Sequence, residues 1–138
     1  MVRKRAHSWI EALAVVEHAG EPLIISGGDG AIRSWHVDGS PGPLARKDVH
    51  SGGGMVLAVV EHAGKPLILS ASAEDGALRS WRLDGSVGPL AREDAHSGEG
   101  IFALAVVEHD GVPLIVSAGG DGALRSWRPG RQHGSAST

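Results

Sequence analysis

The sequence predicts an all-β protein made of three tandem copies of one antiparallel, four-stranded unit. Three observations predict it. A long segment recurs almost unchanged: PLIISGGDGAIRSW ends at Trp35, PLILSASAEDGALRSW at Trp81 and PLIVSAGGDGALRSW at Trp127, so the Trp spacing is 46 residues both times. Self-similarity at such a period marks a repeat architecture. Within each copy, short apolar runs alternate with Asp-Gly and Ala-Gly steps, which are tight-turn signals between antiparallel strands. Gly, Pro and β-branched residues arrive every few positions, which disfavours helix throughout.

The elements follow in order. LAVVEH, at Leu13–His18, Leu57–His62 and Leu104–His109, is a short apolar run bounded by turn residues. It predicts the first strand of each unit. PLIIS, PLILS and PLIVS follow a Gly-containing turn, with Pro at the strand start, where a sheet tolerates it. DGAIRSW and DGALRSW place an apolar residue and Trp on either side of polar ones, the alternation of a half-buried third strand. A second Asp-Gly, at Asp38-Gly39 and Asp84-Gly85, leads into GPLAR at Gly42–Arg46 and Gly88–Arg92, the fourth strand.

Composition narrows the function classes. The chain has 138 residues, a net charge of -3, 41% hydrophobic and 21% charged residues. These values fit a globular protein. The charge is too small to suggest a nucleic acid or a membrane surface as partner. Without cysteine there is no disulfide framework or thiolate metal site. Glu11 interrupts the apolar stretch behind the basic N-terminal residues, which argues against a signal peptide. No apolar run approaches the length of a membrane span. A cytoplasmic protein is the expectation.

A four-stranded repeat of this length ending near Trp resembles the WD-repeat family of β-propellers. The resemblance covers residues 2 to about 128. It implies that each unit is a blade holding a buried tetrad. The members are a His in the loop entering the first strand, a Ser in the second strand, an Asp before the third, and a Trp in the third. Carried over, the sets are His7, Ser26, Asp29 and Trp35; His50, Ser70, Asp75 and Trp81; and His96, Ser117, Asp121 and Trp127. Imidazole between carboxylate and hydroxyl satisfies both ring nitrogens, and the hydroxyl can accept from the indole N–H. The sequence departs from the family at three points. The residue after Trp is His36, Arg82 or Arg128 in place of Asp; Ala6, Val49 and Ala95 stand where Gly precedes His; and the Ser-to-Asp spacing is 3, 5 and 4.

The repeat phase adds a prediction about assembly. Residues 3–7, ArgLysArgAlaHis, align with 46–50 and with 92–96. Residues Val2, Arg3, Lys4, Arg5 and Ala6 therefore read as an orphan outer strand. Blade 1 is expected at 7–49, blade 2 at 50–95, and blade 3 at 96–128 without its outer strand, followed by a flexible tail at 129–138. Three blades do not close a ring, since propellers have about four to eight. Head-to-tail association of copies closes one. Residues 2–6 of one chain are then expected to complete the third blade of a neighbour, the family's usual closure device. The homodimer of six blades is favoured over the homotrimer of nine, being nearer in curvature to the family's common seven-bladed ring.

Simpler explanations suit the remaining conspicuous residues. His18, His62 and His109 are read as turn residues copied by duplication, because ligands must approach one ion within about 2 Å. The His-Asp-Ser trios are read as structural networks, since three regular copies do not suit a nucleophile beside an oxyanion site. Trp9 is expected to plug a gap left by the shorter entry loop, with a binding hot spot as the alternative, and Arg33, Arg79 and Arg125 to form a solvated outer or loop-facing stripe rather than an anion site. The Gly clusters near 52–54 and 98–100 precede no helix and so are not phosphate loops. The function expected is a non-enzymatic, self-assembling interaction scaffold, without cofactor or metal, whose protein partner is unknown. The alternatives are a small-ligand or carbohydrate-binding propeller, or a designed or recently amplified propeller without specialised activity.

Overall fold

A computed structural model of the chain describes residues 9–50, 54–62, 64–74, 76–92, 100–109 and 112–127. They form eleven strands in three antiparallel sheets. The first sheet runs in the order β1 (Ala12–His18), β2 (Glu21–Gly28), β3 (Ala31–Trp35), β4 (Pro41–Arg46). The second repeats it with β5 (Met55–His62), β6 (Lys65–Ser72), β7 (Leu78–Trp81) and β8 (Val87–Arg92). The third contains β9 (Ile101–His109), β10 (Val112–Gly119) and β11 (Leu124–Trp127). Among the described residues no fourth strand pairs with β11, and no helix is long and apolar enough to cross a membrane. The segments at 2–6 and 129–138 lie outside the described residues.

Local chemistry explains the register. Ala19 and Gly20 both have positive φ, 54° and 79°, as a type I′ turn requires. That turn closes β1 onto β2 with His18 opposite Glu21. Pro22 then falls opposite Glu17, in the next pair along. That pair exchanges no backbone hydrogen bonds in an antiparallel ladder, so the missing Pro N–H costs the β1–β2 pairing nothing. Pro66 opposite Glu61 and Pro113 opposite Glu108 repeat the device.

The β2–β3 connection varies while the strands it joins do not. Ser26 stands opposite Arg33, Ser70 opposite Arg79, and Ser117 opposite Arg125. In the first sheet Asp29 and Gly30, with φ of 57° and 73°, make a two-residue type I′ turn. In the third sheet Gly120, Asp121 and Gly122 form the loop, with Gly122 at φ 79°. The unequal Ser-to-Asp spacings are thus absorbed in the turns.

The β3–β4 pairing carries a second regular irregularity. Its register shifts between Arg33 and Trp35, and that of β7–β8 between Arg79 and Trp81. Ser34 and Ser80, buried at the shift, replace the interrupted ladder. Ser34 Oγ accepts from Leu44 N at 2.9 Å. Ser80 Oγ accepts from Leu90 N at 3.0 Å and donates to Leu90 O at 2.9 Å. A Cβ on Gly42 or Gly88 would run into these hydroxyls, which accounts for Gly in both GPLAR segments.

The sheets stack through two apolar junctions. Val16, Leu23, Ile25, Ile32 and Leu44 of the first sheet meet Met55, Ile68 and Trp81 of the second. On its other face the second sheet sets Val60, Leu67, Leu69, Leu78 and Leu90 against Ile101, Ile115 and Trp127 of the third. Alternation at period two places one such set on each face of the middle sheet, so among the described residues the middle sheet is covered on both faces and its neighbours on one.

Candidate functional site

Two features stand out as candidates: a repeated polar pair inside each sheet, and the outward faces of the first and third sheets. The indole of each repeat Trp donates to the Ser hydroxyl on the adjacent strand. Trp35 Nε1 lies 2.9 Å from Ser26 Oγ, Trp81 Nε1 2.8 Å from Ser70 Oγ, and Trp127 Nε1 2.9 Å from Ser117 Oγ. In the second sheet His50 joins the pair, its Nε2 2.8 Å from Ser70 Oγ. His50 and the three Ser residues are buried.

The described Asp members lie in the β2–β3 turns. Asp29, flanked by buried Gly28 and Gly30, is exposed. Asp121 accepts from Ala123 N at 3.0 Å and from Arg125 Nη2 at 3.1 Å, in an exposed turn. His7, Asp75 and His96 lie outside the described residues, as do residues 2–6.

One other expectation changes. Trp9 does not plug a gap; the residue is 71% exposed. The backbone of Trp9 and Ile10 passes directly over Gly28. Arg33, Arg79 and Arg125 are half-buried, and Arg79 is loop-facing rather than solvated. Arg79 Nη1 donates to Val49 O at 2.6 Å and so braces the loop that carries His50. His18 is exposed at the end of β1.

The junctions use polar residues that sequence reading passed over. Glu11 reaches from the first sheet to the second, accepting from Gly54 N at 2.8 Å and Met55 N at 3.3 Å. Arg46 lies over the Trp81 ring, its guanidinium carbon 5.0 Å from the centroid, and donates from Nη1 to Gly85 O at 3.3 Å. The signal for Arg46 was present, since GPLAR recurs intact through its Arg. The signal for Glu11 was not, because the corresponding position in the second sheet is Met55.

The outward faces are apolar. On the first sheet Leu13 and Val15 are 64% and 61% exposed. On the third, Val107 and Leu124 are each 48% exposed. Position for position, Leu124 corresponds to Ile32 and Leu78, both 0% exposed. The β3–β4 turn of the first sheet is acidic. Hydrogen bonds from the Ser40 hydroxyl and backbone N–H hold the Asp38 carboxyl below its ordinary pKa, and Ser86 does the same for Asp84. Compared with known proteins, the chain matches no family model and no curated sequence.

Proposed function

We propose that the chain is a non-enzymatic, self-assembling β-propeller whose closed ring is a scaffold for binding other proteins. One observation carries the reading: the two outward faces are the two halves of a junction that the chain already makes twice. The outward face of the first sheet offers Leu13, Val15, Ile24 and Trp35. Their counterparts Leu57, Val59, Ile68 and Trp81 pack against the first sheet. The outward face of the third sheet offers Val107, Leu114, Val116 and Leu124. Their counterparts Val16, Leu23, Ile25 and Ile32 pack against the second. Third sheet to first sheet of another copy therefore repeats a packing of matching residues.

Such a head-to-tail contact closes into a ring or runs on as a filament. Two copies give six blades, within the usual range of propellers, and three give nine; the dimer is favoured. Among the described residues no strand pairs with the outer edge of β11, which supports the same reading. An unpaired edge invites another strand, and residues 2–6 share the repeat phase of the segment that ends β4 and leads to His50. In this reading they supply it from a neighbouring copy. The closed ring presents its loops and central channel, the surfaces suited to a protein partner.

Light scattering across a dilution series tests the assembly. The expected result is one discrete species of two or three times the 14.2 kDa chain mass. A species of single chain mass at every concentration would sink it. With the ring immobilised, stoichiometric retention of a polypeptide supports the scaffold, whereas a glycan-array signal without one supports the carbohydrate-binding alternative.

A further inference from the structure

The strands that open the three sheets begin differently. Leu13, Leu57 and Leu104 stand opposite Ser26, Ser70 and Ser117, and so mark equivalent positions in β1, β5 and β9. Two residues before them come Glu11, Met55 and Phe102. Met55 pairs with Ser72 and is buried against the first sheet. In β9 the register shifts, and Ile101 takes the corresponding place opposite Gly119, fully buried against the second sheet. Phe102 is the extra residue of this bulge and is 60% exposed. A bulge at a strand end re-aims a side chain, and here it releases an aromatic one from the core.

The junction inside the chain shows what the start of such a strand meets. Glu11 reaches from just before β1 to Gly54 N and Met55 N at the start of β5, at 2.8 and 3.3 Å. The residues entering one sheet thus lie beside those entering the next. Between the third sheet and the first sheet of another copy, the same relation sets Phe102 beside Ile10 and Glu11. The side chains change together. On the reaching side a phenyl ring stands in place of the Glu11 carboxylate. On the receiving side Ile10, 49% exposed, stands where the second sheet has Gly54. Glu11 N already donates to Gly27 O at 2.8 Å, so it does not call for a carboxylate as Met55 N does. Apolar surface therefore faces apolar surface where the internal junction uses hydrogen bonds.

We propose that Phe102 of one copy packs on Ile10 of the next, an apolar latch at the end of the junction where the strands begin. The proposal rests on the assembly proposed above. The occupant is a second copy, because the two residues sit on the two sheets that, among the described residues, are covered on one face only. Aromatic anchors of this kind carry a large share of the energy of an interface.

The test is the dilution midpoint of the full-length assembly, followed by sedimentation velocity. Phe102→Ala is expected to raise the midpoint concentration about tenfold for each junction in the ring, the scale of burying part of a phenyl side chain. Phe102→Leu recovers most of the loss. Since Phe102 and Ile10 are exposed within the single chain, these variants keep the wild-type circular dichroism spectrum. Val87→Ala, at a 54% exposed site on the middle sheet, leaves the midpoint within about twofold, as surface substitutions do. In an Ile10→Ala background, Phe102→Ala costs less than about threefold for each junction, because the two residues share one contact. An assembling chain in which Phe102→Ala shifts the midpoint no more than Val87→Ala, or shifts it equally with and without Ile10→Ala, overturns the latch alone. A wild-type chain that stays at single mass overturns the assembly, and the latch with it.

Discussion

Ser70 holds two buried partners at once, the Trp81 indole and His50 Nε2. Removing its hydroxyl strands both, and a buried polar group without a partner costs about 1–3 kcal/mol. Ser70→Ala is therefore expected to lower the unfolding free energy by roughly 3 kcal/mol in urea denaturation, with shared relaxation keeping the two losses from adding fully. In a Trp81→Phe background the indole donor is already gone, so the same change should cost about 1 kcal/mol less. Equal costs in the two backgrounds would show that the indole–hydroxyl bond contributes nothing. This pairing was legible in the sequence because Ser and Trp recur together in all three copies. The Asp contacts were less so, because Asp29 and Asp121 lie in β2–β3 turns of different length.

At the scale of elements, the strands were legible and their irregularities were not. Period-two alternation and the Asp-Gly and Ala-Gly steps place β1 to β3 and set their register. The break between Ser34 and Leu44 has no such signal, since PGPLAR reads as an ordinary edge strand until Ser34 is seen bonded to Leu44 N. Gly88 shows what the break demands. An added Cβ would meet the Ser80 hydroxyl and lie 3.1 Å from Leu67 Cδ2, both buried, and Ser80 cannot yield without losing Leu90. Gly88→Ala should cost about 2–3 kcal/mol, as overpacking in a filled core does. Gly122→Ala provides the contrast. Its φ is 79° but its surroundings are open, so the cost should be only the left-handed backbone strain of about 1 kcal/mol. Thermal or urea unfolding of the two variants checks the order. A Gly88→Ala variant as stable as Gly122→Ala would mean that the close approach relaxes freely.

For the whole molecule, the proposed assembly has a direction that can be tested. The outward faces of the first and third sheets carry different residue sets, so each copy has a head and a tail. Val15→Asp places a charge on the head and Leu124→Asp on the tail. Both side chains are largely exposed within the single chain, so each variant should keep the wild-type circular dichroism spectrum. Leu78→Asp should not, because Leu78 occupies the same position as Leu124 but is enclosed within the chain. Burying an unpaired carboxylate is far costlier than exposing one. Alone, neither surface variant can close a ring, and each should run at single chain mass in light scattering. Mixed in equal amounts, they leave one unaltered tail and one unaltered head. That pair should associate to twice the 14.2 kDa chain mass and no further, since the remaining head and tail both carry aspartate. An interface formed by like faces would behave differently: one variant would retain its association alone, and mixing would create nothing new.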